Sequence, residues 1–167
     1  MKRFVFWAAA FVLILNIGCG KSNEEVGEEA AEQAIEAALG NEACVDLSDE
    51  GMTVTSEDED GTYTWTGGDQ AKVPDGFPAD VYIYEGAELL MSTDTPAGFV
   101  LAFETDAPLD DVVESYLEEM SAAGWTKQMA TEMDGGQMMV YLQDDRSVNL
   151  TIFDEEGVTQ IGLTVSR

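Results

Sequence analysis

Histidine is missing altogether from the 167 residues, and cations are scarce: 7 Lys and Arg stand against 34 Asp and Glu. Without an imidazole the chain lacks the group whose unperturbed pKa best suits proton transfer near neutrality, and the commonest metal ligand. Histidine-based catalytic triads and histidine-ligated zinc hydrolase centres are therefore excluded. Carboxylates, tyrosines, four lysines and two cysteines remain as chemical tools. A formal net charge of −27 repels phosphate backbones and anionic headgroups, which argues against nucleic acid as a partner. No phosphate-cradling glycine loop and no adjacent nucleophile–base pair is legible. The sequence thus points to a protein that is not an enzyme, with no catalytic residues, no cofactor and no dedicated metal site. Long apolar runs are missing too. The stretch from Phe4 to Leu15 is about a third short of the roughly 20 residues that span a bilayer as a helix.

What is present begins with that stretch. Met1-Lys2-Arg3 is a basic start, the apolar run follows, and Asn16-Ile17-Gly18-Cys19 closes it, which is the order of an export signal. Gly18-Cys19 at this distance from Met1 resembles the lipobox of bacterial lipoproteins, in which lipid is attached to a cysteine that becomes the new N-terminus. Asn16 stands where that pattern usually has Leu. The resemblance implies lipidation of Cys19 and anchoring in the bacterial cell envelope by acyl chains, each buried methylene contributing about 0.8 kcal/mol. Gly20, rather than Asp, after the cysteine implies the outer membrane if the cell is Gram-negative. With Cys19 lipidated, Cys44 has no intrachain partner for a disulfide. Its place at the start of a β-prone run predicts a small packed residue.

Four segments are expected: a signal over residues 1–18, a lipid-anchored tether and acidic helix over 19–43, a short β meander over 44–72, and an α+β domain over 73–167. Glu24 to Leu39 is rich in Ala and Glu and ends at Gly40, a helix with a thin apolar stripe. Three short β-prone runs follow, separated by Asp-Glu-Gly and Asp-Gly turns. Val73-Pro74-Asp75-Gly76-Phe77-Pro78 reads as an extended linker. Beyond it, strands are expected over Val81–Tyr84, Glu88–Ser92 and Phe99–Thr105. Leu109, Val112, Val113, Tyr116, Leu117 and Met120 fall at helical spacing, and Gly124 stops that helix. Four hairpin strands are expected after Trp125. The fold class is α+β: an antiparallel sheet covered on one face by one helix, preceded by an acidic helix and a short β meander.

The stretch Phe77-Pro78-Ala79-Asp80-Val81-Tyr82-Ile83-Tyr84-Glu85-Gly86-Ala87, with Val112 to Leu117 and a later Gly124-Trp125, resembles the opening of a group of uncharacterised bacterial lipoproteins. The resemblance covers roughly the last 95 residues. It implies export and one small domain, and no activity.

Four features are candidates for chemistry. Glu57-Asp58-Glu59-Asp60-Gly61 is the densest acidic run, but Ser56 and Gly67 stand where a calcium loop needs its first and last ligands. Met120, Met129, Met133 and Met138 fall at positions expected to pack beneath the helix, although thioethers also select copper(I). Asp110, Asp111, Glu114, Glu118 and Glu119 share the outer face of the helix, where a solvated surface is expected. Tyr63 with Trp65, and Tyr82 with Tyr84, each share one side of a strand and could stack on a sugar or a peptide. Address and chemistry together predict a non-catalytic lipoprotein that binds an envelope protein or polymer through an edge strand or a polar sheet face. The rival expectation is a metal-binding envelope protein using acidic turns for calcium or methionines for copper.

Overall fold

The computed structural model describes Gln33, Ile35 and residues 43–48, 51–58 and 60–167. The signal, Cys19 and most of the acidic helix over Glu24–Leu39 lie outside the described residues; Gln33 and Ile35 are helical. Nine strands and one long helix follow: β1 Ala43–Ser48, β2 Gly51–Asp58, β3 Gly61–Gly68, β4 Glu88–Thr95, β5 Gly98–Thr105, α1 Leu109–Ala122, β6 Thr126–Met133, β7 Gly136–Gln143, β8 Arg146–Glu155 and β9 Val158–Ser166. All nine strands form one antiparallel sheet in the order β1-β2-β3-β4-β5-β9-β8-β7-β6.

This corrects the expected α+β architecture. The residues read as a separate meander are β1 to β3, and β3 pairs directly with β4 through Thr64↔Asp94 and Thr66↔Ser92. They extend the main sheet, so the described chain is mostly strand. Gly67-Gly68 and the proline-bounded segment suggested a break in the chain. That segment instead folds back against the sheet, with Phe77 packing edge-on to Phe99 at 5.5 Å between ring centroids. Val81–Tyr84 is not a strand either. Its alternation comes from an irregular segment that buries Val81 and sets Tyr82 edge-on against Tyr116 at 5.1 Å.

The chain after β5 crosses the sheet as α1, lands at the far edge as β6, and returns strand by strand until β9 pairs with β5. Val112, Tyr116 and Met120, spaced four apart, are fully buried. Each such side chain contributes about 1.5–3 kcal/mol when it leaves water. Asp110 and Asp111 sit in the first turn, where the helix dipole favours acids. Gly124, at φ +88°, stops the helix, and the Trp125 N–H bonds back to the Met120 carbonyl at 2.9 Å. Beneath α1 lie three cross-strand rows. Phe99, Val165, Val148 and Tyr141 form one; Leu101, Leu163, Leu150 and Met139 the next. The third runs Phe103, Ile161, Ile152 and ends in Gln137. The eleven apolar members of the three rows are at most 2% exposed. Gln137 interrupts the pattern.

Candidate functional site

The third row points to the site. Gln137 on β7 pairs with Ile152 on one side and with Glu132 on β6 on the other. Directly paired residues share a sheet face, so Gln137 and Glu132 carry the row out to the sheet edge beneath the start of α1. There a groove of about 310 Å³ opens between the helix and the β6–β7 hairpin, lined by Leu109, Asp110, Val113, Glu132, Met133 and Gln137 over Gly135 and Gly136. Gly136 is required in the floor: a Cβ there would meet the Ile152 carbonyl oxygen at 2.3 Å. The Gln137 Oε1 is buried and has no hydrogen-bond partner. An acceptor left in that state costs about 1–3 kcal/mol. The terminal torsion of glutamine is soft, so the amide can turn its oxygen toward a donor that enters the groove.

Two polar pins stand at the other end of the sheet, past the row of Phe99 and Tyr141. Arg146 grips both carboxylate oxygens of Asp80 at 2.9 and 2.5 Å and lies over the Trp125 ring at 4.9 Å. Trp125 Nε1 donates to the Asp80 carbonyl at 2.8 Å. One knot thus ties the segment before β4 to the end of α1 and to the β7–β8 turn. The bonded guanidinium holds the Asp80 carboxyl below its usual pKa, against a smaller opposing effect of burial. Arg167 makes a second pin, bonding Asp94 at 2.6 Å and the Thr95 carbonyl while its guanidinium covers the Phe99 ring. The Tyr116 hydroxyl sits in the core without a hydrogen bond. Burial pushes its pKa up.

Residues 86–157 match the model of a START domain-like family. The match covers less than half of the chain and spans β4, β5, α1, β6, β7 and all of β8. Every residue of the groove falls within it. No curated protein and no solved structure matches the chain.

The candidates read from the sequence are scattered. Asp110 reaches the groove, whereas Glu114, Glu118 and Glu119 face solvent, as expected of the outer helix face. Met120 is in the core, but Met129 and Met133 are 44% and 42% exposed on edge strand β6. They are not core fillers, because all eight residues of the edge strand β6 lie exposed. Cys44 is likewise not packed. It is exposed on β1, where its neighbours Ala43 and Val45 take the buried positions. The acidic run caps the β2–β3 hairpin, with Glu59 outside the described residues. Among the described residues no three His, Cys, Asp or Glu side chains gather into a metal-holding group, and no helix is long and apolar enough to cross a membrane. Trp65 lies across Gly67 on its own strand: a Cβ at Gly67 would meet the indole at 2.4 Å. Gln137 escaped notice because a single polar residue in a β-run reads as the solvent face. Its position opposite Ile152 is a matter of register, which the sequence does not print.

Proposed function

We propose that the chain is a lipid-anchored, non-catalytic binding module of the bacterial cell envelope. Cys19 holds it at the membrane, in the outer membrane if the cell is Gram-negative, and the groove between α1 and the β6–β7 hairpin receives an envelope partner. The lipobox-like run ending in Gly18-Cys19 supports the anchor. The observation that carries the binding reading is the buried, unpartnered Gln137 Oε1 beside a groove of mixed apolar and acidic lining, since buried polar groups in folded proteins almost always have partners. The exposed β6 edge beside it offers a contact surface for a macromolecule.

Photocrosslinking in intact cells tests the reading. A photoreactive residue replacing Met133, in the groove lining, is expected to capture a discrete adduct, while one replacing Asn149, on β8 outside that lining, captures none. Equal labelling from both positions, or none from 133, overturns the groove as the binding surface. Intact-mass analysis of protein from the membrane fraction is expected to give a chain starting at Cys19 and carrying acyl chains. An unmodified chain overturns the anchor.

A further inference from the structure

We infer that the groove is built to receive a lysine side chain presented by a partner protein, an inference that rests on the groove being the binding surface. Its two kinds of lining match the two ends of that side chain. Leu109, Val113 and Met133 offer an apolar wall for a four-carbon stem. Asp110, Glu132 and the Gln137 amide offer three acceptors, the number of donors that an ammonium carries. The positive end of α1 does not compete, because Asp110 and Asp111 already match it.

The cations of the described chain lie elsewhere. Arg146 and Arg167 are held in the two pins, with Asp80 and with Asp94. Lys127 is six residues along β6 from Met133, on the order of 20 Å at strand spacing, and Lys72 lines a different pocket beside Thr66 and Ser92. No internal cation neutralises Asp110 and Glu132 within the groove lining. A neutral apolar group would fill the wall and leave the Gln137 oxygen unpaired; an anion would meet two carboxylates. Arginine carries the charge on a wider planar fork whose geometry suits paired carboxylate oxygens, whereas a compact ammonium can face three separate acceptors.

The test is a titration of the ¹⁵N-labelled full-length protein with Nα-acetyl-lysine amide, and with Nα-acetyl-norleucine amide as the uncharged control. Saturable shifts of the Gln137 side-chain amide and of the Gly135 and Gly136 backbone signals are expected with the lysine compound. The norleucine compound should bind about tenfold more weakly, the scale of one charge-assisted hydrogen bond. Asp110→Asn and Glu132→Gln should each weaken lysine binding several-fold, on the order of the same bond, while Glu118→Gln on the solvent face leaves it unchanged. Gln137→Leu should abolish lysine binding without lowering the stability of the free protein. Equal binding of the two compounds overturns the lysine assignment and leaves the groove reading intact. So does a loss with Glu118→Gln as large as with Glu132→Gln, since that reports general attraction to an acidic surface. If neither compound moves these signals, the lysine assignment falls. The crosslinking at 133 then decides separately whether the groove itself falls with it.

Discussion

Across β5, β9, β8 and β7 the helix-side face of the sheet carries Phe99, Leu101, Phe103 and their cross-strand partners, all in the core but Gln137. Across β1 to β4 the same face carries two polar rows: Cys44, Thr55, Thr64 and Asp94, then Asp46, Thr53, Thr66 and Ser92. The apolar residues of that half lie on the other side, in the row Val45, Val54 and Trp65. One continuous hydrogen-bonded sheet therefore inverts its amphipathic character between β4 and β5. Polar groups in the polar half are satisfied where they are buried. Thr66 and Ser92 share a 2.7 Å hydrogen bond, and Ser92 donates to the Lys72 carbonyl at 2.8 Å. Gln70 bridges Ser48 and Thr53. The lesson is that ladder pairing fixes which strands are neighbours, while the identity of the buried face is set locally by what packs on it. Where α1 and the segment around Val81 cover the sheet, the face is apolar; where a polar turn covers it, hydroxyls suffice.

The difference can be broken from its strong side first. Leu150→Ala, at the centre of the middle row and fully buried, is expected to cost about 2–5 kcal/mol in urea unfolding. Val54→Ala, half-buried on β2, should cost about a third of that in the same titration, because less surface and fewer contacts are lost. Near-equal losses would show that the two halves share one core.

The next effect lies in the polar half. Thr66→Val strips the Ser92 hydroxyl of one partner but leaves it the Lys72 carbonyl, and should cost about 1–2 kcal/mol. Adding Ser92→Ala removes the half-satisfied hydroxyl but takes the donor from the Lys72 carbonyl, so the double variant should lose less than the sum of the two single variants without returning to wild type. If the double variant is the sum of two full penalties, the hydroxyls serve something other than each other.

Smaller still is the ion pair that pins the helical half. Asp80→Asn should cost up to about 1 kcal/mol at neutral pH, the scale of partly exposed pairs. The carboxyl is held below its ordinary value of 3.8 in the folded state, so its contribution is present above that value and is lost as pH falls through the lowered one. Stability of the wild type and the variant should therefore converge as pH falls through that lowered value. The smallest effect is expected from Tyr116→Phe, within about 0.5 kcal/mol at pH 7 because the hydroxyl has no bond to lose. In alkali the sign is opposite to that of Asp80. The unfolded phenol ionises near pH 10 while the folded one resists, so wild-type stability falls as pH rises past 10, and the phenylalanine variant should fall less.

Much of the helical half was legible in the sequence. The spacing of Val112, Tyr116 and Met120, the Gly124 stop and the alternation of Val148, Leu150 and Ile152 each report a strong local period, and α1, β8 and β9 follow them. The other half was misjudged for a physical reason. Thr53, Thr55, Thr64 and Thr66 alternate as cleanly as any strand, but nothing local says that β3 will hydrogen-bond to a strand twenty residues away across two prolines. Val81–Tyr84 mimicked a strand because its inward residues pack on the core without a ladder. Of the site, Asp110 was in view as one of a row of helix acids. Met133 was assigned to the core, and Gln137 carried no signal outside the register.

The last of the nine strands in chain order is sixth in space. β9 is the one element hydrogen-bonded to both β5 and β8, so until it arrives β1–β5 and β6–β8 are two separate ladders joined by a helix. Sheet closure therefore waits on a pairing such as Phe99 with Val165, 66 positions apart in sequence, and contacts of that range slow folding. A ribosome that stalls before Val158, or a protease that trims past it, leaves two sheets with raw inner edges. Such a product is an aggregation hazard that a cell can recognise and clear.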